Sequence, residues 1–234
     1  MTLRKSLLTV PTVLLGLSTL VSANELQTKM VAEYPQEILD QAKKAPEGTA
    51  EFLESLTDKD YYPLLKPGDW MGIETGSVYQ VLLGSNEDPK LVIAYAAETP
   101  SNYFFLDGDK EIDLQEAASN AFKNIDKLEV EWYFPEGYNE QVVAGMPGSF
   151  VSETILSAKQ MKKIHSMLGT NEIIVSIPTR TVLSAVAFDS PDDVFAQFAS
   201  NHIHTWNEHR NSRISPELFI VKDGQIINLI PLTK

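Results

Sequence analysis

The sequence predicts an α+β protein: a mixed, mainly antiparallel sheet of hairpins covered by about three longer helices, with an N-terminal helical extension. Three observations carry this reading. Short apolar runs recur from Trp70 onward, separated by Asn, Asp, Gly and Pro turn residues. Several neighbouring runs are joined by connections too short for a parallel crossover, so those strands pair antiparallel. Longer stretches between them repeat apolar residues at helical spacing and begin with capping signals. This order excludes a doubly wound dinucleotide fold.

The elements follow in chain order. Residues 1–23 read as a secretory signal: Arg4 and Lys5 give a basic start, Leu7 to Leu20 is apolar, and Val21-Ser22-Ala23 supplies small residues before a cut near Ala23. The apolar stretch falls short of the roughly 20 residues of a spanning helix, so no stable membrane anchor is expected after cleavage. Residues 24–68 read as the helical extension. Ile38, Leu39 and Ala42 in YPQEILDQAKKA, and Phe52, Leu53 and Leu56 in TAEFLESLT, repeat at helical spacing on either side of Pro46-Glu47-Gly48. YYPLLKPGDW, with Pro63, Pro67 and Gly68, then reads as a turn-rich connector.

Residues 69–234 form the α+β domain. SVYQVLLG, KLVIAYAAE and NYFFL make a strand meander. DLQEAASNAFKNI is a helix capped by Asp113 with Glu116 three positions on, and Leu114, Ala117, Ala118, Ala121, Phe122 and Ile125 form its buried stripe. KLEVEWYF alternates as a strand, and QVVAGM is a further one. A helix runs from Ser149 or Ser152 to Leu168 and stops at Gly169. EIIVSIP and TVLSAVAF are strands joined around Pro178-Thr179-Arg180. The third helix starts at Ser190-Pro191, with serine as cap and proline in the first helical position, and runs to about His209. The chain closes on a hairpin, LFIVK-DG-QIINLI, whose Asp223-Gly224 pair suits a type I′ turn. That turn sets Val221 opposite Ile226 and Ile220 opposite Ile227, with both faces apolar and therefore covered.

Composition excludes several function classes. The 234 residues contain no cysteine, which removes disulfides, thiolate nucleophiles and Cys-ligated metals. With 32 acidic against 19 basic residues the net charge is −13, which opposes binding to nucleic acid. Without Arg4 and Lys5 the mature chain would carry −15 over 211 residues, its acids dispersed in short groups as on a self-repelling soluble surface.

No motif supplies a catalytic set. In NHIHTWNEHR, a helix would put His202 and His209 on one face with Trp206 between them and would turn His204 elsewhere, so four zinc ligands do not assemble. Asp107 to Asp113 alternates oxygen ligands like a calcium loop, but Ile112 stands where glycine makes the turn and Ala118 where the bidentate glutamate belongs. Gly148-Ser149 lacks the second glycine of a nucleophile elbow, with Val151 in its place, and Ser157 misses the S-x-x-K spacing. His165, beside the apolar stripe of its helix, is the candidate base of any triad assembled from distant residues. Arg180 is the leading binding candidate: a turn between buried strands would project its guanidinium at a sheet end, where it could hold a carboxylate or phosphate in a fork, or pair with Asp192 or Asp193 on the surface. Arg210 and Arg213 could add positive charge beside it.

Four segments, Asp113–Ile125, Gly148–Leu156, Glu172–Leu183 and Ser215–Ile226, resemble the YtpQ-like family of bacterial proteins, a domain of unknown function, over about residues 90–234. The chain departs from that pattern at Met146-Pro147-Gly148 and at Thr181, where the family often carries acidic residues, and in its export signal. The resemblance implies a fold and brings no site residues.

The expected function is therefore that of an exported, periplasmic or extracellular, soluble binding or interaction module without cofactor or metal. Its partner would be a protein or a small anionic ligand, held by Arg180, Arg210, Arg213 and His165. The alternative is a hydrolase whose site is assembled from scattered residues, with His165, Arg180 and an unidentified carboxylate or serine as first suspects. On the binding-module reading the polar groups serve solubility and not reactivity, so no three ionisable side chains are expected to converge on a deep, dry cavity.

Overall fold

The computed structural model describes residues 49–99, 102–108 and 112–232. The signal at 1–23 and the helix read at 34–45 lie outside the described residues; of the helical extension, α1 (Thr49–Ser55) is described. The class is α+β, built on two antiparallel sheets instead of one.

Sheet one holds β1 (Tyr62–Pro67), β2 (Tyr79–Gly84), β3 (Pro89–Glu98) and β4 (Tyr103–Phe105). β3 is its spine, with β1 along one side and β2 and β4 end to end along the other. The supposed connector is thus largely an edge strand, and its prolines explain the misreading. The Leu65 N–H points off the sheet edge and donates to Glu153 Oε1 at 3.1 Å. Pro63 and Pro67 lie two residues to either side, so their nitrogens face the same way and no ladder bond is lost.

Sheet two holds β5 (Trp132–Tyr133), β6 (Val142–Gly145), β7 (Glu172–Ser176), β8 (Ser184–Ala187), β9 (Glu217–Lys222) and β10 (Gln225–Pro231), in the order β10-β9-β7-β8-β6-β5. The KLEVEWYF strand shrinks to two residues at the sheet edge, where only one neighbour is available.

Three helices complete the domain: α2 (Leu114–Lys127), α3 (Ala158–Leu168) and α4 (Asp192–Glu208). Asp113 caps α2 by accepting from the N–H groups of Gln115 and Glu116, both at 2.9 Å. The helix expected from Ser149 or Ser152 is split into a 3₁₀ turn (Ser152–Leu156) and α3. Ser157 makes the break: it caps α3 through the Gln160 N–H at 3.2 Å and donates to Asp126 at 2.5 Å. Gly169, at φ 67°, ends α3 as expected. α4 begins one residue later than expected, because Pro191 at ψ 148° is still extended and serves as the cap position itself.

The layers stack as sheet one, α2 with α3, sheet two, α4. Ala117, Ala121, Met161 and Ile164 fill the middle between Leu65, Ile93 and Tyr95 of sheet one and Ile173, Val175 and Phe219 of sheet two. Val194 and Phe198 of α4 cover Ile174, Val186 and Leu218 on the opposite face of sheet two. β9 is therefore buried on both faces. At the hairpin, Asp223 (φ 51°) and Gly224 (φ 87°) form the left-handed turn and Ile226 pairs with Val221. A bulge at Ile227 then places Asn228, and not Ile227, opposite Ile220. Ile227 is left 38% exposed, and Leu229 joins the face of Phe219.

Candidate functional site

Strand periodicity puts Tyr62, Leu64 and Lys66 of β1 on one face of sheet one, and the register carries Tyr103 and Phe105 of β4 to that face. Phe150, itself left-handed at φ 62°, stacks on Tyr62 at 4.5 Å and meets Tyr103 edge-on at 5.7 Å. Facing this wall are the β7–β8 turn and the end of α4. The two are tied together: the Arg180 N–H donates to the Ser212 carbonyl, the Ile214 N–H donates to the Pro178 carbonyl, each at 2.9 Å, and Thr179 bridges Arg213. Between the walls lies a cleft of about 420 Å³, lined by Leu64, Tyr103, Phe150, Glu153, residues 179–182, Thr205, His209 and Ser212. That is the size range of small-molecule sites. Thr181, a β-branched residue at φ 67°, also lines it. Strain of this kind persists only where the surroundings enforce it, and it clusters at binding sites.

The cleft is strongly charged. Glu153, from the 3₁₀ turn, is 1% exposed. Burial raises the pKa of its carboxyl, while the Ser152 hydroxyl (2.7 Å), the Leu65 N–H (3.1 Å) and Lys66 pull it back down. Lys66 lies within electrostatic reach of Glu153 and Arg180, with its Nζ 5.0 Å from the Phe105 ring centre and 5.6 Å from that of Trp70. Its pKa is lowered to about 8, first by burial and then by Arg180, with Glu153 acting in the opposite sense. At the rim, Tyr103 donates to Glu98 at 3.1 Å, and Ser149 donates to the same carboxylate oxygen. His209 Nδ1 lies 3.2 Å from the Thr205 carbonyl.

Of the residues singled out from sequence, Arg180 lines the cleft. Its guanidinium makes no ion pair or hydrogen bond among the described residues, so the pairing with Asp192 or Asp193 is not formed. Arg213 does not line it: its Nε donates to the Trp206 carbonyl at 2.7 Å and its guanidinium lies 4.7 Å from the Trp206 ring centre, which holds it on α4. Arg210, exposed in the 3₁₀ turn Arg210–Ser212, does not line it either. His165 is buried elsewhere, and its Nε2 accepts the Gly224 N–H at 3.1 Å, with neither serine nor carboxylate bonded to its ring among the described residues. Burial lowers its pKa, against the Thr170 backbone and Asp223. The Ser–His contact found is between Ser176 and His202, 2.9 Å apart and both buried, where it ties α4 to sheet two and offers no exposed nucleophile. Among the described residues no three His, Asp or Glu side chains are grouped to hold a metal.

The sequence reading missed Glu153 and Tyr103, which line the cleft with Arg180 and His209, and Lys66, which stands outside that lining but within electrostatic reach of it. One available signal was Lys66 itself, a lone cation inside the apolar run YPLLKP. Comparison of the chain with protein-family models, curated proteins and solved structures finds no match.

Proposed function

We propose that the protein is an exported binding module for a small organic anion, a carboxylate or phosphate monoester, held in the cleft between sheet one and the β7–β8 turn. The observation that carries this is the Arg180 guanidinium, unpaired among the described residues and standing in a cavity beside a second cation, Lys66, in a chain of net charge −13. A guanidinium grips such oxyanions in a planar fork, and positive charge concentrated here stands out against the acidic surface. Thr179, Thr181, Thr205 and Ser212 add hydroxyls to the lining, and Phe150 with Leu64 supplies apolar contact for a carbon skeleton. Export is supported by Arg4, Lys5, the Leu7–Leu20 stretch and the small residues ending at Ala23. Kinship of residues 90–234 with the YtpQ-like family rests on the four segments named above.

The test takes the chain from the envelope fraction of the producing cell, where its N-terminus should be Asn24, and follows thermal unfolding with a panel of small carboxylates and phosphate monoesters. At a hundredfold excess over Kd a ligand adds about 2.7 kcal/mol, or roughly 5–10 °C in Tm for a chain of this size. At least one member should raise the Tm of the native chain and leave Arg180→Ala unmoved. Failure of every member rejects the ligand reading, and an intact leader in the cytosol rejects export.

A further inference from the structure

We propose that the cleft takes a small amino acid as its zwitterion, with the carboxylate on Arg180 and the ammonium on Glu153, beside the rings of Tyr103 and Phe150. This deepens the anion-binding reading and rests on it. Among the described residues that line the cleft, His209 aside, Arg180 is the one cation and Glu153 the one carboxylate. They stand on opposite walls. Arg180 belongs to the β7–β8 turn and Glu153 to the 3₁₀ turn bonded to the edge of β1, and no ion pair joins them. A cavity that holds one charge of each sign apart is complementary to a ligand carrying the opposite pair, and discriminates against one that is an anion alone.

Glu153 is the group that asks for a cation. It lines the cavity and is yet 1% exposed. Its Oε2 accepts from the Ser152 hydroxyl at 2.7 Å and its Oε1 from the Leu65 N–H at 3.1 Å, so the fold fixes both oxygens while each keeps a further lone pair. Among the described residues no basic side chain lies within ion-pair distance of it, and Lys66 acts on it only through space. A buried carboxylate with hydrogen bonds but no counter-ion is costly, and a ligand's ammonium, donating to the remaining lone pairs, offsets that cost. The same wall suits a cation in other ways. Phe150, backed by Tyr62 at 4.5 Å, and Tyr103, 5.7 Å from Phe150, present aromatic rings. Tyr103 also donates to a second carboxylate, Glu98, at 3.1 Å. The facing wall is the converse: Thr179, Thr181, Thr205 and Ser212 bring hydroxyls to the side of Arg180, and no acid lines it. The cleft of about 420 Å³ leaves room for a side chain against Leu64 and Val182.

Isothermal titration calorimetry of the mature chain tests this with the standard L-amino acids and short ω-amino acids, each beside the carboxylic acid that lacks its amine. At least one amino acid should bind about tenfold or more tightly than its deamino acid and than its N-acetyl derivative, which keep the carboxylate and lose the cation. Glu153→Gln, which keeps the shape and removes the charge, should abolish that preference and leave the deamino acid bound at least as tightly as before. Arg180→Ala should weaken amino acid and deamino acid alike, by about tenfold or more. The preference is read in the native chain, so the test stands even where Glu153→Gln does not fold. A deamino acid bound as tightly as its amino acid, a preference retained in folded Glu153→Gln, or no amino acid bound would each overturn the proposal. If small carboxylates bind and amino acids bind no better, the ammonium site falls and anion binding stands; if neither these probes nor the phosphate monoesters bind, both fall.

Discussion

His202 is 2% exposed and shares a hydrogen bond with Ser176, so its imidazole is held neutral, with the pKa lowered to about 4 chiefly by burial, against the backbone of Pro216 and Ser215. The unfolded chain protonates the same ring near 6.5, so between pH 6.5 and 4 the unfolded state binds a proton that the native state does not. The contribution of His202 is complete above pH 6.5, is lost as pH falls toward 4, and amounts to about 3 kcal/mol. Urea denaturation of the native chain and of His202→Gln at pH 7 and pH 4.5 isolates it: the native chain should lose about 2 kcal/mol more than the variant over that interval, since pH 4.5 stops short of the folded-state value. Equal losses would show that the ring is solvated. Helical spacing placed His202 and His209 on one face of a helix; α4 ends at Glu208, and the structure gives the two different environments, Ser176 for the first and the cleft for the second. Spacing within one element says which residues share a side. It says nothing of what the rest of the chain brings there.

At the scale of elements, the β9–β10 turn and the start of α3 depend on each other. Gly224 sits at φ 87°, its N–H donates to His165, and a Cβ at this position would lie 2.9 Å from the Ala158 carbonyl oxygen. Gly224→Ala meets both the left-handed penalty and this contact, so it should destabilise by about 2 kcal/mol. Equilibrium unfolding reads the total. A Gly224→Asn variant, whose residue tolerates the left-handed region but keeps a Cβ, separates the two terms: it should recover only part of the loss. The Asp-Gly turn and the Asp113 cap were legible because their determinants lie within a few residues. The Ser152–Leu156 turn was not. Its apolar residues Val151 and Ile155 continue the helical stripe of Met161 and Ile164, so periodicity alone reads one helix and puts Glu153 on the polar side. Ser157 interrupts the helix through a bond to Asp126, 31 positions away, and the tighter 3₁₀ turn carries Glu153 inside to the β1 edge. The central charge of the cleft was hidden for that reason. Lys66 was hidden by Pro63 and Pro67, which signal a turn in sequence and are harmless on an outward-facing strand edge.

At the scale of the molecule, the α+β class followed from local patterns, whereas the division into two sheets did not, because pairing between distant strands leaves no local periodicity. The consequence is a shared core. Leu65 and Ile93 of sheet one, Met161 and Ile164 of α3, and Ile173 and Phe219 of sheet two belong to one apolar cluster. Neither sheet can expose its inner face without uncovering α2 and α3, at about 1.5–3 kcal/mol for each large side chain returned to water. The described domain should therefore unfold in a single transition. Trp70 packs on Phe105 of sheet one and Trp206 packs under Arg213 at the end of α4, so they report from opposite layers. In chains retaining one or the other as the only tryptophan, urea transitions followed by fluorescence should coincide with each other and with circular dichroism. Leu65→Ala and Phe219→Ala, fully buried on opposite sides of α2 and α3, should each shift both tryptophan signals together, by about 3 kcal/mol or more. Separate midpoints, or a variant that moves the signal of its own sheet alone, would mean that the sheets fold independently. The cleft, whose walls belong to both, would then open before the chain unfolds, and a ligand held across it should restore the single transition by binding only the closed form.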